Sequence, residues 1–439
     1  RRRPNGLQLH DRTHQVSKRL YALLIAAAVL VVAVTGWGVW SMQHREKPQP
    51  PAASVPVQLH ADVPKDTSIA LILTLSSDPG QGSEWRDAAA GAEVAIHRFA
   101  MSGTKISLTV FDDHGTASGS AEAVAKARKA RVSGIVYAST GDHLLAGVKA
   151  AAHSGTPVLL PYYSDVASLP TGAWSTGPSD EDIAAVMANL ITQQKLDPLL
   201  TINAGGKIPQ GIEGARMLPL DPKIDRSVSA KVLSKTLGRS KPQGIVAAGP
   251  ALTLGQTVAL IQGVGSHVPV VLTPEALSPG FYQGLVKANG TASTELFSVG
   301  AASGDAQSLG TDEAARSMSA YLAGLRLLAA DPGAKNPVGD DSFSTVAAVA
   351  DSRSHDAVVA LVRAVEKAQV KDSGAVSASL ANMTVGYDQG ITGSPLDFTR
   401  PAAFPKDRVV PLSSGQDTLG LRPAPASGVA PLVWFPARP

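Results

Sequence analysis

The chain has 439 residues, of which 44% are hydrophobic and 17% are charged, a composition that suits one large or two medium globular units. It has no cysteine, which excludes disulfides, thiolate metal sites and a cysteine nucleophile. Its net charge is +3, and residues 1–19 contribute +5 (six basic minus one acidic), so the remainder carries about −2 and gives no indication of nucleic-acid binding.

The first predicted element is an uncharged apolar run at residues 20–40. At about 1.5 Å per residue, a helix over these 21 residues spans about 32 Å, enough to cross a bilayer once. Because six cations precede the run, the positive-inside rule places residues 1–19 in the cytoplasm and the bulk of the chain outside the cell membrane. Trp37 and Trp40 lie where an interfacial aromatic belt is expected. We therefore predict a single-pass anchor that follows a cytoplasmic basic tail.

A cleaved signal peptide is the alternative interpretation of this run. The apolar region of a signal peptide is usually about 7–15 residues long and ends in a small-x-small site, so residues 20–40 are long for one. The sequence directly after the run is a poor cleavage site, although Pro-Ala-Ala-Ser at 51–54 keeps cleavage open. A lipoprotein needs a cysteine, and the first arginines lie too far from the run for a twin-arginine signal.

Five prolines mark residues 41–66 as an extended linker. From residue 67 onward, short apolar runs alternate with Ala-rich helical stretches. The predicted strands are 69–75, 106–111, 134–137 and 157–160, and the predicted helices are 84–99, 121–130 and 143–153. Continuous apolar strands joined by helices are typical of a parallel sheet that is covered on both faces.

The same alternation then repeats. The second set contains strands 199–202, 244–248, 268–272 and 296–299, helices 180–193, 253–262 and 279–287, and two later helices at 312–329 and 354–368. We predict an α/β fold with two lobes, each a doubly wound and mostly parallel sheet. The predicted boundaries are 67–176 for the first part of lobe 1, 177–300 for lobe 2, 301–380 for the return to lobe 1, and 381–439 for the completion of lobe 2 and a C-terminal tail. Ligands of such sheets bind beyond the carboxyl ends of the strands.

These segments, in this order, resemble type I periplasmic binding proteins of the branched-chain amino-acid type, the substrate-binding subunits of ABC importers. The resemblance covers most of residues 67–400. It is carried by the blocks 69–75, 91–93, 108–113, 134–139, 157–164, 177–180, 356–358 and 386–398. It implies a two-lobed periplasmic-binding-protein fold with a hinge, preceded here by one transmembrane helix, and a small ligand held between the lobes.

The resemblance also implies that hydroxyl and N–H groups of the first lobe bind a ligand carboxylate. Ser139 and Thr140 end a predicted strand before a helix, and Ser164 takes the place of a family threonine with this role. Ordinary helix capping is the alternative interpretation, because Ser and Thr are common caps.

Glu275 is implied as the partner of the ligand ammonium, because it follows a second-lobe strand within a Pro-Glu pair. A solvated loop glutamate is the alternative. Trp85 lies near a position where a large side chain covers the ligand, with simple packing as the alternative. Ser76 and Ser77 end the first strand and are further candidates for the cleft.

Several positions depart from the family pattern. Gln210 stands where an aromatic clamp is expected, residues 249–252 lack a tyrosine, and His355 replaces a tyrosine. Residues 211–220 predict a short, Pro-interrupted substitute for a longer helix. Because lost aromatic side chains reduce apolar contact with a ligand, we predict an altered site that takes a polar ligand or no longer binds one.

The sequence contains no phosphate-binding loop, zinc-protease helix or nucleophile elbow. Asp112 and Asp113 are neighbours on a predicted strand, so their side chains point to opposite faces and do not form a metal pair. We expect no enzymatic activity, no cofactor and no bound metal.

The sequence therefore predicts a membrane-anchored extracytoplasmic solute-binding protein that captures an amino acid or a related polar compound for ABC-type import, with a permease as its membrane partner. The alternative prediction is a ligand-sensing or scaffold ectodomain of the same fold that has lost transport and acts through a protein partner.

Overall fold

The computed structural model describes residues 56–77, 80–214, 216–221, 224–292, 295–416, 418–425 and 428–437. Val55–Pro439 form one compact unit. The predicted tail, the anchor at 20–40 and most of the linker lie outside the described residues. Within the described ranges, no helix combines the length and the apolar character that crossing a bilayer requires.

The first lobe is built on a parallel sheet of five strands in the order β2-β1-β3-β4-β5. Its strands are β1 (Thr67–Leu73), β2 (Ile106–Asp112), β3 (Gly134–Tyr137), β4 (Val158–Leu160) and β5 (Ala173–Ser175), and its connecting helices are α1 (Gly91–Ala100), α2 (Ala117–Lys129) and α3 (Leu144–His153). Every residue of β3 and β4 is buried. These strands are continuous apolar runs because both faces of the sheet are covered.

The second lobe is built on a sheet of seven strands in the order β14-β13-β10-β9-β8-β6-β7. Its strands are β6 (Leu199–Asn203), β7 (Arg216–Pro219), β8 (Gly244–Ala248), β9 (Val270–Leu272), β10 (Leu296–Ala301), β13 (Val409–Gly415) and β14 (Val433–Pro436), and its helices are α4 (Asp180–Gln193), α5 (Arg226–Ser240), α6 (Ala251–Gly263) and α7 (Pro279–Lys287). β6 to β10 pair in parallel, whereas β13 and β14 add an antiparallel edge.

The chain returns to the first lobe after β10. This return contains α8 (Glu313–Ala330), α9 (Ser352–Ala368), α10 (Ser373–Leu380) and the two short strands β11 (Thr384–Val385) and β12 (Leu396–Asp397). Twelve of the 17 residues of α9 are buried, and this helix packs against α1, α10 and β3. The centre of the first lobe is therefore formed by segments more than 200 residues apart.

The crossings between the lobes are joined by hydrogen bonds. The N–H of Ser175, at the end of β5, donates to the Pro401 carbonyl at 2.9 Å, and the Ala403 N–H donates to the Ser175 carbonyl at 2.9 Å. The buried carboxylate of Asp356 accepts from the N–H groups of Thr392 and Gly393 at 2.9 and 2.7 Å. The outgoing and returning chains are thus tied at one edge of the first lobe.

The predicted α/β fold with two mostly parallel sheets is confirmed, and the predicted segments 134–137, 180–193 and 279–287 coincide with β3, α4 and α7. The helix predicted at 84–99 is confirmed from Gly91 onward, but its predicted start is wrong. Two 3-10 turns, Ser83–Trp85 and Ala88–Ala90, come first, and α1 begins at Gly91. The Ala88 carbonyl accepts from the N–H of Asp351 at 2.9 Å instead of continuing a helix.

Residues 211–220 are predicted as a short, Pro-interrupted substitute for a longer helix, and the described residues among them form no helix. This region contains the edge strand β7, which pairs in parallel with β6. Pro219 has no N–H to donate and restricts the residue before it to extended conformations, so it disfavours a helix and is tolerated on an edge strand.

Candidate ligand-binding cleft

The two lobes touch at the carboxyl ends of their parallel strands. A Cβ atom on Gly80, which follows β1, would lie 3.1 Å from Cγ of Pro250, which follows β8. A Cβ atom on Gly280, in the first turn of α7, would lie 3.0 Å from Cβ of Glu84. This edge is where ligands of open parallel sheets bind.

A buried polar network lies at the first-lobe side of this edge. The Thr74 hydroxyl is 2.6 Å from the Ser139 hydroxyl and 3.5 Å from Nε2 of His143. The same Nε2 is 2.9 Å from Oδ2 of Asp113, which also accepts from the Tyr137 hydroxyl at 2.8 Å. All five side chains are buried. The network fixes the end of β3, from which Ser139 and Thr140 project.

Asp113 is held as the anion of this network. Burial alone raises the pKa of the Asp113 carboxyl, but hydrogen bonds from His143, from the Gly115 N–H and from Thr74 outweigh it and leave the pKa below its ordinary value. The neighbouring Asp112 has a different partner, because the Asp112 carboxylate lies 2.8 Å from Nδ1 of His114. The two adjacent aspartates therefore serve separate contacts.

Residues 80–85, which we name the cleft segment, cover Ser139 and Thr140. A Cβ atom on Gly82 would lie 1.9 Å from Oγ of Ser139 and 2.9 Å from the Thr140 nitrogen, so only glycine fits here. Gln81 Oε1 lies 3.2 Å from Nδ1 of His143. The cleft segment thus fills the space in which a ligand carboxylate would meet these two residues.

Trp85 ends the cleft segment and is packed inside the first lobe. Its ring is 5% exposed and stacks on Tyr162, with the centroids 4.4 Å apart and the planes 12° apart. The Arg353 guanidinium lies 4.6 Å from both ring centroids. Asp351 accepts from Tyr162 at 2.8 Å and from Arg353 Nε at 3.0 Å. This placement matches the packing interpretation of Trp85.

Glu275 lies on the second-lobe side, in the turn that follows β9. Part of its side chain is accessible to water, but the surrounding protein shields the carboxyl group, and the acidic groups of Asp180 and Glu84 lie nearby. Loss of hydration in the cleft raises the pKa of Glu275, the nearby Thr273 hydroxyl opposes the rise, and the charges of Asp180 and Glu84 add to it. Among the described residues, Glu275 has no ion-pair partner. A cation between the lobes would therefore stabilise this carboxylate.

Ser164 and Asp180 occupy the passage between the lobes. The Asp180 N–H donates to the Ser164 carbonyl at 3.0 Å, and Asp180 Oδ2 lies 2.6 Å from Nζ of Lys207. The hydrogen bond to Asp180 and the negative charge of Asp180 raise the pKa of the Lys207 ammonium. Gln210, three residues further on, is exposed. Ser164 is half-buried and so remains open to a ligand.

The remaining predicted residues lie at the entrance. Ser76 is exposed, and Ser77 donates through its hydroxyl to Ser83 Oγ at 2.9 Å. Ser77 therefore positions the cleft segment. The structure thus brings Ser77, Ser139 and Thr140 together around the cleft segment, and it brings Glu275 towards Asp180 and Glu84. Trp85 instead packs on Tyr162, and Gln210 is exposed.

The sequence analysis did not single out Asp180, Lys207, His143 or Arg353. For Asp180, Lys207 and His143 the available signal was position, because each lies within a few residues of a strand end, whereas Arg353 lies far from any strand. The contacts Lys207–Asp180 and His143–Asp113, however, join residues 27 and 30 positions apart, so no local pattern in the sequence reveals them.

No family model and no curated protein matches the chain. Solved structures do match. The type 1 periplasmic binding protein of Bordetella pertussis Tohama I is 15% identical with a TM-score of 0.62, covering 85% of this chain and 100% of that one. The substrate-binding protein LivJ of Streptococcus pneumoniae, in complex with isoleucine, is 17% identical with a TM-score of 0.57, covering 75% and 91%.

A third similar structure is an ABC transporter substrate-binding protein of Desulfitobacterium hafniense in complex with leucine, 15% identical with a TM-score of 0.57, covering 82% and 99%. At these identities the similarity establishes the fold. The chain has the two-lobed fold of type I periplasmic binding proteins, including the branched-chain amino-acid type, as the resemblance predicts.

Proposed function

We propose that the chain is a membrane-anchored extracytoplasmic solute-binding protein that captures an amino acid or a related small polar compound between its lobes for ABC-type import. The observation that carries the proposal is Glu275, a carboxylate with a raised pKa and, among the described residues, no ion-pair partner, which faces the first lobe across the cleft. The ammonium of an amino acid supplies the missing charge.

The first lobe offers donors for the other end of such a ligand. The Ser139 hydroxyl, the Thr140 N–H and the Ser164 hydroxyl lie at the ends of β3 and β4, where hydroxyl and N–H groups bind carboxylates well. The ligand reaches Ser139 and Thr140 only when the cleft segment moves away from them. Binding is then coupled to movement of the segment and to closure of the hinge.

The side chain of the ligand is expected to be small or polar. The similar proteins of S. pneumoniae and D. hafniense are in complex with isoleucine and leucine. In this chain Trp85 and Tyr162 are stacked on each other and buried, so they offer little open aromatic surface to a branched side chain. The closed form would present a surface to a permease on a separate polypeptide.

A sensing or scaffold ectodomain is the second candidate, and one observation favours it. The cleft segment occupies the space above Ser139 and Thr140 and contacts Pro250 and Gly280 of the second lobe. A chain that holds its own cleft closed in this way acts through its surface, with a protein partner.

Thermal unfolding of the full chain against a panel of amino acids, small amides and short peptides tests the two candidates. A ligand at about 100 times its Kd should stabilise the folded state by about 2.7 kcal/mol. We expect one class of amino acid to raise the Tm and Glu275→Gln to abolish that rise. Glu213→Gln, which changes an exposed glutamate in the same lobe, is the matched control. If no compound of the panel raises the Tm at millimolar concentration, solute capture is contradicted and the scaffold function is favoured.

The anchor and the localisation are part of the proposal and rest on residues 20–40 and the six cations before them. We expect the protein to stay in the membrane fraction after alkaline extraction and to become soluble when 20–40 are deleted. An N-terminus at residues 51–54 in the mature protein would contradict the retained anchor and establish cleavage instead.

A further inference from the structure

Helix α5 presents an unusual outer face on the second lobe. The helix turns Ser229 and Leu233 into the body of the lobe. At 3.6 residues per turn, five other residues fall within an arc of about 100°, whose centre lies about 130° around the helix axis from these two. These residues, which we name the basic face, are Val228, Lys231, Val232, Lys235 and Arg239. All five are exposed, and the two valines are 49% and 45% exposed.

The charge of this face is one-sided. Residues 226–274 contain five Lys or Arg and no Asp or Glu. Among the described residues, none of Lys231, Lys235 and Arg239 has an ion-pair partner, and Asp225 at the start of α5 is bonded to the N–H and the hydroxyl of Ser227 at 2.8 and 2.5 Å.

The body as a whole has the opposite sign. Residues 1–55 hold eight basic and two acidic residues, a charge of +6, which leaves −3 for residues 56–439 when it is subtracted from the total of +3. The basic face is therefore a local feature and does not follow from the overall charge.

We propose that the basic face docks on the anionic phospholipid surface of the membrane to which the chain is anchored. The face extends about 17 Å along a convex helix, which suits a flat, deformable surface. Its valines would enter the headgroup layer while the cations contact lipid phosphates. Exposed valines interleaved with unpaired cations favour a lipid surface over an acidic protein, whose rigid surface would need complementary pockets for both valines.

The anchor makes this contact effective, and in that respect the inference rests on the proposed function. One cation close to an anionic surface strengthens binding roughly fivefold, so three strengthen it about 100-fold. That is weak for a free protein but sufficient for a tethered one, because a short linker holds the domain at millimolar effective concentration. A chain of fifteen residues, the length of 41–55, spans at most about 50 Å when fully extended, a reach compatible with contact between the second lobe and the bilayer.

Fluorescence of the full chain in lipid nanodiscs tests the proposal. Because the chain has no cysteine, Val228→Cys carries a single environment-sensitive dye. We expect a blue shift in nanodiscs with 30% phosphatidylglycerol and none in phosphatidylcholine alone. Replacing Lys231, Lys235 and Arg239 by Gln should abolish the shift, as should 0.5 M salt. The matched control replaces three scattered exposed lysines, Lys105, Lys149 and Lys195, and should leave the shift unchanged. A dye on Leu327→Cys, which is 49% exposed on α8, should not respond.

The proposal would be overturned if the dye emission were identical in both lipids. It would also be overturned if replacing the three scattered lysines removed the blue shift as completely as replacing the cations of the basic face. Failure of the chain to co-purify with nanodiscs refutes the anchor instead. In that case the same dye-labelled chain is floated with phosphatidylglycerol vesicles at low salt. Flotation that the triple replacement reduces about 100-fold supports the basic face, and flotation that the triple replacement leaves unchanged overturns it.

Discussion

Gly82 holds the cleft segment against Ser139 because it has no side chain. Its φ is +95°, a left-handed conformation that other residues adopt at a cost, and an added Cβ would lie 1.9 Å from Ser139 Oγ. We expect Gly82→Ala to reduce the free energy of unfolding by about 2 kcal/mol, the sum of strain and crowding. We also expect tighter ligand binding, since the displaced segment no longer competes. Chemical denaturation and calorimetric titration measure the two effects.

Gly103 provides the matched control for this substitution. Its φ is +87°, but an added Cβ would meet nothing within 4 Å. Gly103→Ala therefore introduces the backbone strain of a positive φ without a steric clash. It should reduce the free energy of unfolding by about 1 kcal/mol and leave the ligand affinity unchanged. Equal losses at the two positions would show that Gly82 does not press on Ser139.

Glu93 makes the stability of the first lobe dependent on pH. Burial raises the pKa of this carboxyl, on α1, to about 7. Because the folded pKa lies above the unfolded one, the folded state binds its proton more tightly. The stabilisation is complete below about pH 4.5 and is lost as the pH rises through 7.

We expect Glu93→Gln to remove this dependence. The variant should be more stable than the parent at pH 8, by at most about 3 kcal/mol, and nearly equal to it at pH 4. Denaturant unfolding at both pH values measures the difference. Glu213→Gln, at an exposed position, should follow the parent at both. A Glu93→Gln variant that loses stability at pH 8 would contradict the assigned cause.

At the scale of elements, a C-terminal strap formed by residues 418–425 is bonded to the return segment that follows β10. Arg422 bonds to both oxygens of Asp305, which follows β10, with Nε–Oδ2 and Nη2–Oδ1 distances of 2.6 and 2.8 Å. It also donates to the carbonyls of Ala347 and Ala350, which precede α9. The guanidinium therefore joins the start of the return to the first lobe with the turn that precedes α9.

We expect Arg422→Met to reduce the free energy of unfolding by about 3 kcal/mol, because it leaves a largely buried Asp305 carboxylate without its partner. Arg316→Met is the control, since its ion pair with Glu313 is 4.0 Å long and exposed, and it should cost less than about 0.5 kcal/mol. Denaturant unfolding measures both. A similar small loss for both variants would mean that the strap contributes little.

Elements of the two lobes could be predicted from sequence to different degrees. Strand β3 is buried on both faces, so its apolar run is clear in the sequence. Helix α5 was not predicted, because it buries only Ser229 and Leu233 and its valines face outward, so the helical period of its apolar residues is weak. Strand β14 pairs with β13 across a long connection, and its short sequence has no local signal.

At the scale of the whole molecule, the sequence predicts the cleft but not its contents. Glu275 is recognisable because it follows a strand directly, a local feature. The contact of Gly82 with Ser139, by contrast, joins residues 57 positions apart through the packing of a loop. Such a contact depends on the finished fold, so neither residue's neighbours in the chain reveal it.

The closed arrangement of the lobes can be tested directly, because the chain has no cysteine of its own. A Cβ atom on Gly80 would lie 3.5 Å from Cβ of Pro250, at the short end of the range of about 3.5–4.5 Å found in disulfides. We expect Gly80→Cys combined with Pro250→Cys to form an intramolecular disulfide on oxidation. Mass spectrometry under non-reducing conditions detects the bond, and each single variant is a control.

The locked protein separates the two candidate functions. In the oxidised double variant the cleft segment is bonded to the second lobe, so it cannot leave Ser139 and Thr140. A solute-binding protein then loses ligand binding on oxidation and recovers it on reduction, whereas each single variant binds in both conditions. Ligand binding that persists in the oxidised form would show that the ligand binds away from Ser139 and Thr140, the residues that the cleft segment covers. If no disulfide forms, the lobes do not meet at Gly80 and Pro250 in solution, and movement of the cleft segment away from Ser139 and Thr140 does not require the lobes to separate.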